Sequence, residues 1–121
     1  RLIDDDKAKR LSKVRLWMKG QLRFAWDSMD LEQIVLEGIS ILTKYIMPYK
    51  LTFYVLIGYD TTLDEDLYRC EMLKSLGVNP FVMPYDKFNP HQADFARWVN
   101  FKPTFKSVAW PDYKKRVKEV V

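Results

Sequence analysis

Leu51-Thr52-Phe53-Tyr54-Val55-Leu56-Ile57, followed by Gly58-Tyr59-Asp60-Thr61, is the stretch on which the fold turns. The seven residues are β-branched and aromatic, which favours a strand. Apart from Thr52 they are apolar at every position instead of alternating with polar ones, the signature of a strand covered on both faces, as parallel strands are. Gly58 ends the run, and polar turn residues follow.

The segments on either side read as helices. Before the strand, Leu31, Ile34, Val35, Ile39 and Leu42 recur at spacings of three and four, predicting one buried stripe. Asp30 and Gln33 are placed to form a capping box at its start, Gly38 lies on the stripe as a point of close approach, and Pro48 bars continuation. After the strand, Thr62 and Glu65 form a second capping box, and Leu63, Leu67, Cys70, Leu73 and Leu76 supply a buried side that Gly77 closes.

Further outward lie two shorter strands. Leu22 to Trp26 ends at Asp27; Phe81-Val82-Met83 is expected to stop at Pro84, and Tyr85-Asp86 follow. Asn89-Pro90 opens another helix with Phe95, Trp98 and Val99 on one side. Residues 105–110 are expected to be extended. A helix from Pro111 would turn Tyr113, Val117, Val120 and Val121 inward, and one over 6–14 would present Ala8, Leu11 and Val14.

Strands separated by helices of this length require crossovers between parallel strands, so the fold class is α/β. Three such strands with helices on one side cannot close a barrel, and an open edge strand is an aggregation risk.

The length, 121 residues, and a hydrophobic content of 48% suit one compact domain and argue against disorder. The net charge of +4 sits in two basic groups, Arg10 to Lys19 and Lys114 to Lys118. These read as solvated helix faces, and the aromatics fall in apolar core patterns instead of interleaving with them, so nucleic acid is not the expected partner. A small basic nucleic-acid-binding or protein-interaction module is the alternative.

A single cysteine, Cys70, excludes an internal disulfide and a multi-thiolate metal site, and fits a reducing, cytoplasmic setting. No apolar run approaches the roughly 20 residues that span a bilayer. The chain starts at Arg1 without an initiator Met or an apolar signal core and reads as starting in mid-sequence, as a fragment does.

In parallel α/β sheets ligands bind beyond the carboxyl ends of the strands. That directs attention to Asp27-Ser28, Gly58 to Thr61, and Pro84-Tyr85-Asp86. Asp27 is suited to accept hydrogen bonds from a sugar hydroxyl, Gly58 to let a flat ligand approach the backbone, and Tyr85 to stack on a base. Asp27, Asp60 and Asp86 equally suit turns and helix caps. His91, one residue past a helix-starting proline, reads as a surface or capping residue, and Cys70 as a small buried hydrophobe.

Residues 22–27, 53–62 and 76–85, with Phe95 to Asn100 and Phe105 to Trp110, together resemble the C-terminal half of a radical S-adenosylmethionine (radical SAM) enzyme, including poorly characterised bacterial and phage members. The resemblance implies the last three units of a partial (βα)6 TIM-like barrel. It places Asp27 at the ribose of S-adenosylmethionine. Leu56 and Gly58 match the Ile and second Gly of the family's Gly-x-Ile-x-Gly-x-x-Glu pattern, while Met83 and Tyr85 border the adenine. Tyr54 stands in place of the first Gly and Thr61 in place of the Glu.

The family's Cys-x3-Cys-x2-Cys loop, which holds a [4Fe-4S] cluster, is absent from the chain. The resemblance therefore implies an oxidoreductase activity that belongs to a longer parent, with the N-terminal half of the same barrel as partner. Alone, the chain is expected to be inactive, to bind neither cofactor tightly, and to pair with itself through the exposed sheet edge.

Overall fold

The computed structural model describes residues 3–17 and 20–120, with side chains for all of these except 14–17 and 116–120. The elements run α1 (Asp5–Trp17), β1 (Leu22–Ala25), α2 (Glu32–Leu42), β2 (Leu51–Ile57), α3 (Leu63–Ser75), β3 (Asn79–Pro84), α4 (Pro90–Asn100), α5 (Lys102–Ser107) and α6 (Trp110–Val120). The three strands form one sheet in the order β1-β2-β3, and both pairings are parallel. Leu22 is in register with Leu51, and Thr52 with Asn79.

A sheet whose strands lie in sequence order, joined by right-handed crossovers, collects its helices on one face. The burial pattern follows this. Along β2, Leu51, Phe53, Val55 and Ile57 are buried, while Thr52, Tyr54 and Leu56 between them are half-buried. Leu22, Phe24 and Trp26 join the core from β1, and Val82 from β3. Phe24 stacks on Phe53 at 5.3 Å between ring centroids. The opposite face carries Arg23, Ala25, Tyr54, Leu56, Phe81 and Met83, with Phe81 41% and Met83 46% exposed. The β2 sequence reads as covered on both sides, but among the described residues only one side is.

The helix ends follow local chemistry. Thr62 and Glu65 form the reciprocal capping box expected for α3. Gly77, at φ +76°, ends α3 by letting the Val78 N–H return to the Leu73 carbonyl at 3.0 Å. Asn89 caps α4 by accepting from the amides of His91 and Gln92. At α2 the expected capping box does not form. Met29–Leu31 is a 3-10 turn, Leu31 takes the cap position, and Gln33 donates instead to Glu37. Asp30 lies inside that turn and so is not at the cap position of α2. The buried stripe of α2 is Val35, Gly38, Ile39 and Leu42; Leu31 and Ile34 are exposed.

Two further expectations are corrected. Residues 102–107 form α5, not an extended segment, because Pro103 lies in its first turn and Phe105 is drawn into the core. Phe105 meets Trp98 edge-on at 4.9 Å, and Trp98 also packs against Phe95 and Trp110. Tyr113 stacks on Trp110, as an inward-facing residue of α6 should. Ala8 is buried and Leu11 packs on the core. The side chains of Val14, Val117 and Val120, and Val121 itself, lie outside the described residues.

The other correction concerns β3, which extends over Asn79–Pro84 instead of stopping before Pro84. Tyr85 still donates its N–H to the Ile57 carbonyl at 3.0 Å. Odd-numbered residues of β3 therefore point their backbone groups at β2, and Pro80, Val82 and Pro84 point theirs outward. Both prolines sit where a missing N–H costs the ladder nothing. The outward groups of Val82 are taken by Asn100 of α4, whose carboxamide accepts from the Val82 N–H at 2.7 Å and donates to its carbonyl at 3.1 Å.

Asn100→Ala removes both bonds. It is expected to lower stability by about 1–2 kcal/mol in urea denaturation and to speed hydrogen exchange at the Val82 amide selectively.

Candidate functional site at the open sheet face

The sheet's uncovered face and the carboxyl ends of its strands form one continuous surface. An open groove of about 540 Å³ runs over it, lined by Ala25, Asp27, Tyr54, Leu56, Phe81 and Met83. Three of the five candidate residues, Asp27, Leu56 and Met83, thus share one lining. Asp27 is exposed at the rim, immediately after the buried Trp26. Tyr54 and Phe81 meet edge-on at 5.8 Å, making the floor aromatic. A groove with an apolar floor and a single carboxylate at the rim suits a small flat molecule bearing hydroxyl groups.

Gly58 and Tyr85 lie outside that lining. Gly58 has φ +78°, and the space where a Cβ would stand is filled by the Gln92 carboxamide. Both facts require glycine there for reasons internal to the chain. Tyr85 is 62% exposed, and its ring lies 4.8 Å from that of Tyr59, at the outer end of the same face. Asp86 accepts from the Phe88 amide, while its own N–H goes to Gln92 Oε1, so it shapes the turn before α4. His91 sits in the capped first turn of α4 with its ring edge-on to Trp110 at 5.8 Å.

Sequence reasoning missed a buried ion pair beneath this surface. Arg69 of α3 is fully buried and pairs with Asp66 at 2.6 Å. Its guanidinium donates to the Trp26 carbonyl at 2.6 Å and to the Leu56 carbonyl at 2.7 Å. Thr61 donates its hydroxyl to the same Asp66 oxygen. One side chain thereby ties the carboxyl ends of β1 and β2 together, on the residues that precede Asp27 and Gly58 by one and two positions. Arg69 Nε is buried without a partner, which offsets part of the gain.

The signal for this pair was present in the spacing. Asp66, Arg69, Cys70 and Leu73 share one face of α3, but assigning that face by apolar residues alone selects Leu67, which is half-buried, and Leu76, which is 38% exposed. Opposite charges three residues apart on the stripe that also carries Cys70 and Leu73 are placed to pair, and the fold buries that pair.

Cys70 is fully buried beside Arg69, and burial pushes its thiol well above the ordinary range. A lone buried thiol does not fit a cluster-binding role. Among the described residues no group of His, Cys, Asp and Glu is arranged to hold a metal ion, and no helix is long and apolar enough to cross a membrane. No protein family, curated protein or solved structure matches the chain.

Arg69→Met leaves Asp66 buried without its partner and is expected to cost about 3–5 kcal/mol in chemical denaturation. The double variant Asp66→Leu/Arg69→Met is expected to recover part of that loss. Cys70 is expected to resist a thiol reagent until urea unfolds the chain. Because the folded thiol ionises later than the unfolded one, its contribution to stability is complete below about pH 8.5 and declines as pH rises further. Comparing Cys70→Ala with the natural chain across that range isolates the effect.

Proposed function

We propose that this chain forms three strands of a larger parallel barrel and that its open face is part of the wall of a nucleoside pocket. The resemblance to radical SAM enzymes names the nucleoside as that of S-adenosylmethionine. The observation that carries the reading is the one-sided sheet. An apolar and aromatic face left bare by every described helix is what the inside of a barrel segment presents, and ligands of such folds collect at the carboxyl ends where Asp27 stands.

In this reading Asp27 accepts hydrogen bonds from the ribose hydroxyls, and Leu56 and Met83 supply apolar contact to the adenine. Tyr85 borders the base from the rim. Gly58 serves indirectly, by admitting Gln92 and so fixing the loop that carries Tyr85. Arg69 holds the ends of the first two strands at a set separation. The [4Fe-4S] cluster would supply the electron that cleaves the bound cofactor, and its thiolates would come from the other half of the barrel. A reducing, cytoplasmic setting suits both that cluster and the free thiol of Cys70.

The test uses a polypeptide that carries the preceding strands together with this segment. S-adenosylmethionine should bind to it in equilibrium dialysis, and Asp27→Ala should weaken binding about tenfold or more, the worth of hydrogen bonds to a carboxylate. Unchanged affinity in Asp27→Ala would remove Asp27 from the site. A preceding reading frame without the three-cysteine loop would remove the cofactor assignment altogether.

A further inference from the structure

The other end of the sheet holds a second cavity. It lies at the amino ends of the strands, where the last turn of α3, the Gly77-Val78 turn and the start of β3 meet α4, α5 and the turn before β2. None of its walls belongs to β1, so its shape does not depend on what pairs with that strand. Its volume is about 140 Å³, close to the roughly 150 Å³ that admits a benzene ring in a protein interior.

The walls are apolar and fixed by the fold. Val78, Val99 and Phe105 line the cavity, and all three are buried. Phe105 is held in place by its edge-on contact with Trp98. A preformed apolar hole of this size suits a single flat ring.

The mouth is cationic. Lys74, Lys102 and Lys106 all line the cavity, and no aspartate or glutamate does. Lys102 and Lys106 are four residues apart on α5, so the two ammonium groups leave the same side of that short helix and repel each other. Lys74 reaches the cavity from α3. Its Nζ is anchored by donating to the Phe105 carbonyl at 2.9 Å and lies 4.9 Å from the centre of the Phe105 ring. An ammonium carries three N–H groups, so two remain for a ligand. A fourth cation, Lys50 Nζ, stands 5.8 Å from the ring of Tyr49, which also lines the cavity. Among the described residues none of these four lysines forms an ion pair. Like charges gathered around an apolar hole, with no counter-charge of their own, attract an anion to it.

We propose that this cavity binds a small organic anion, one six-membered ring bearing a carboxylate or a phosphate. The ring lies against Val78, Val99 and Phe105, and the anionic group sits among Lys74, Lys102 and Lys106. The site stands apart from the nucleoside reading, because the cavity and the Asp27 groove are at opposite ends of the sheet and share no lining residue.

The test is a titration of the chain with benzoate and with phenyl phosphate, followed by the amide resonances in nuclear magnetic resonance. Whichever of the two binds more tightly identifies the anionic group. The amides of Gly77, Val78 and Phe105 should shift in a saturable way while that of Asp27 stays in place, and binding should weaken as salt is added. Benzyl alcohol, which keeps the ring without the charge, and inorganic phosphate, which keeps the charge without the ring, should each bind at least about tenfold more weakly, since each forfeits one of the two contributions. Lys102→Gln/Lys106→Gln, which alters two exposed side chains, should weaken the better ligand about fivefold or more. Lys87→Gln, which removes a charge at the far end of the sheet, should leave it unchanged. Absence of saturable shifts with both ring anions would overturn the proposal, and so would equal binding of benzyl alcohol or of inorganic phosphate. A Lys87→Gln loss matching that of the double variant would also overturn it, because the attraction would then belong to the net charge and not to the cavity.

Discussion

The parallel pairing of β2 along both its edges is the constraint on which the rest of the molecule depends. Among the described residues β2 is the one strand with neighbours on each side, and it is seven residues long where β1 has four. Because those neighbours precede and follow it in the chain, both crossovers go over the same face. One face then carries the core, from Leu51 to Ile57, and the other carries Tyr54 and Leu56 into the open. The groove and the position of Asp27 are both consequences of that single choice.

The buried pair of α3 is the second element of order. Burying a guanidinium is expensive, and it is tolerated here because two backbone carbonyls and a carboxylate receive it. The arrangement joins β1 and β2 at the end where their ladder stops, so the turn after β1 and the Gly58 turn are held by the same side chain.

Much of this was legible in the residues. The order of helices and strands, the α3 capping box, the Asn89 cap and the Gly77 stop all follow from local chemistry that tertiary context does not override. The sequence misled where one residue type serves two purposes. Pro84 reads as a strand terminator, yet a proline on the outward side of an edge strand costs no hydrogen bond, and only the register tells which side it occupies. Pro103 reads as a break before an extended segment, yet it starts α5. Leu56 and Tyr54 read as core because apolarity does not distinguish a covered face from a bare one. For the candidate site, the strand-end rule pointed to Asp27 and the family resemblance to Leu56 and Met83, and these three line one groove. The roles of Gly58 and Arg69 depended on Gln92 and on carbonyls distant in the chain, which no local pattern carries.

The register of the sheet also bears on how the chain reaches this state. Leu22 pairs with Leu51 and Thr52 with Asn79, separations of 29 and 27 positions, and among the described residues the sheet contains no hairpin. Neither ladder can begin from a tight turn, so each must first close a long loop that its crossover helix shortens. α2 and α3 are therefore best placed to condense early and bring the strand ends together. Until they do, the apolar run of β2 is uncovered, and the newly made chain is at its most vulnerable to misassociation in that interval.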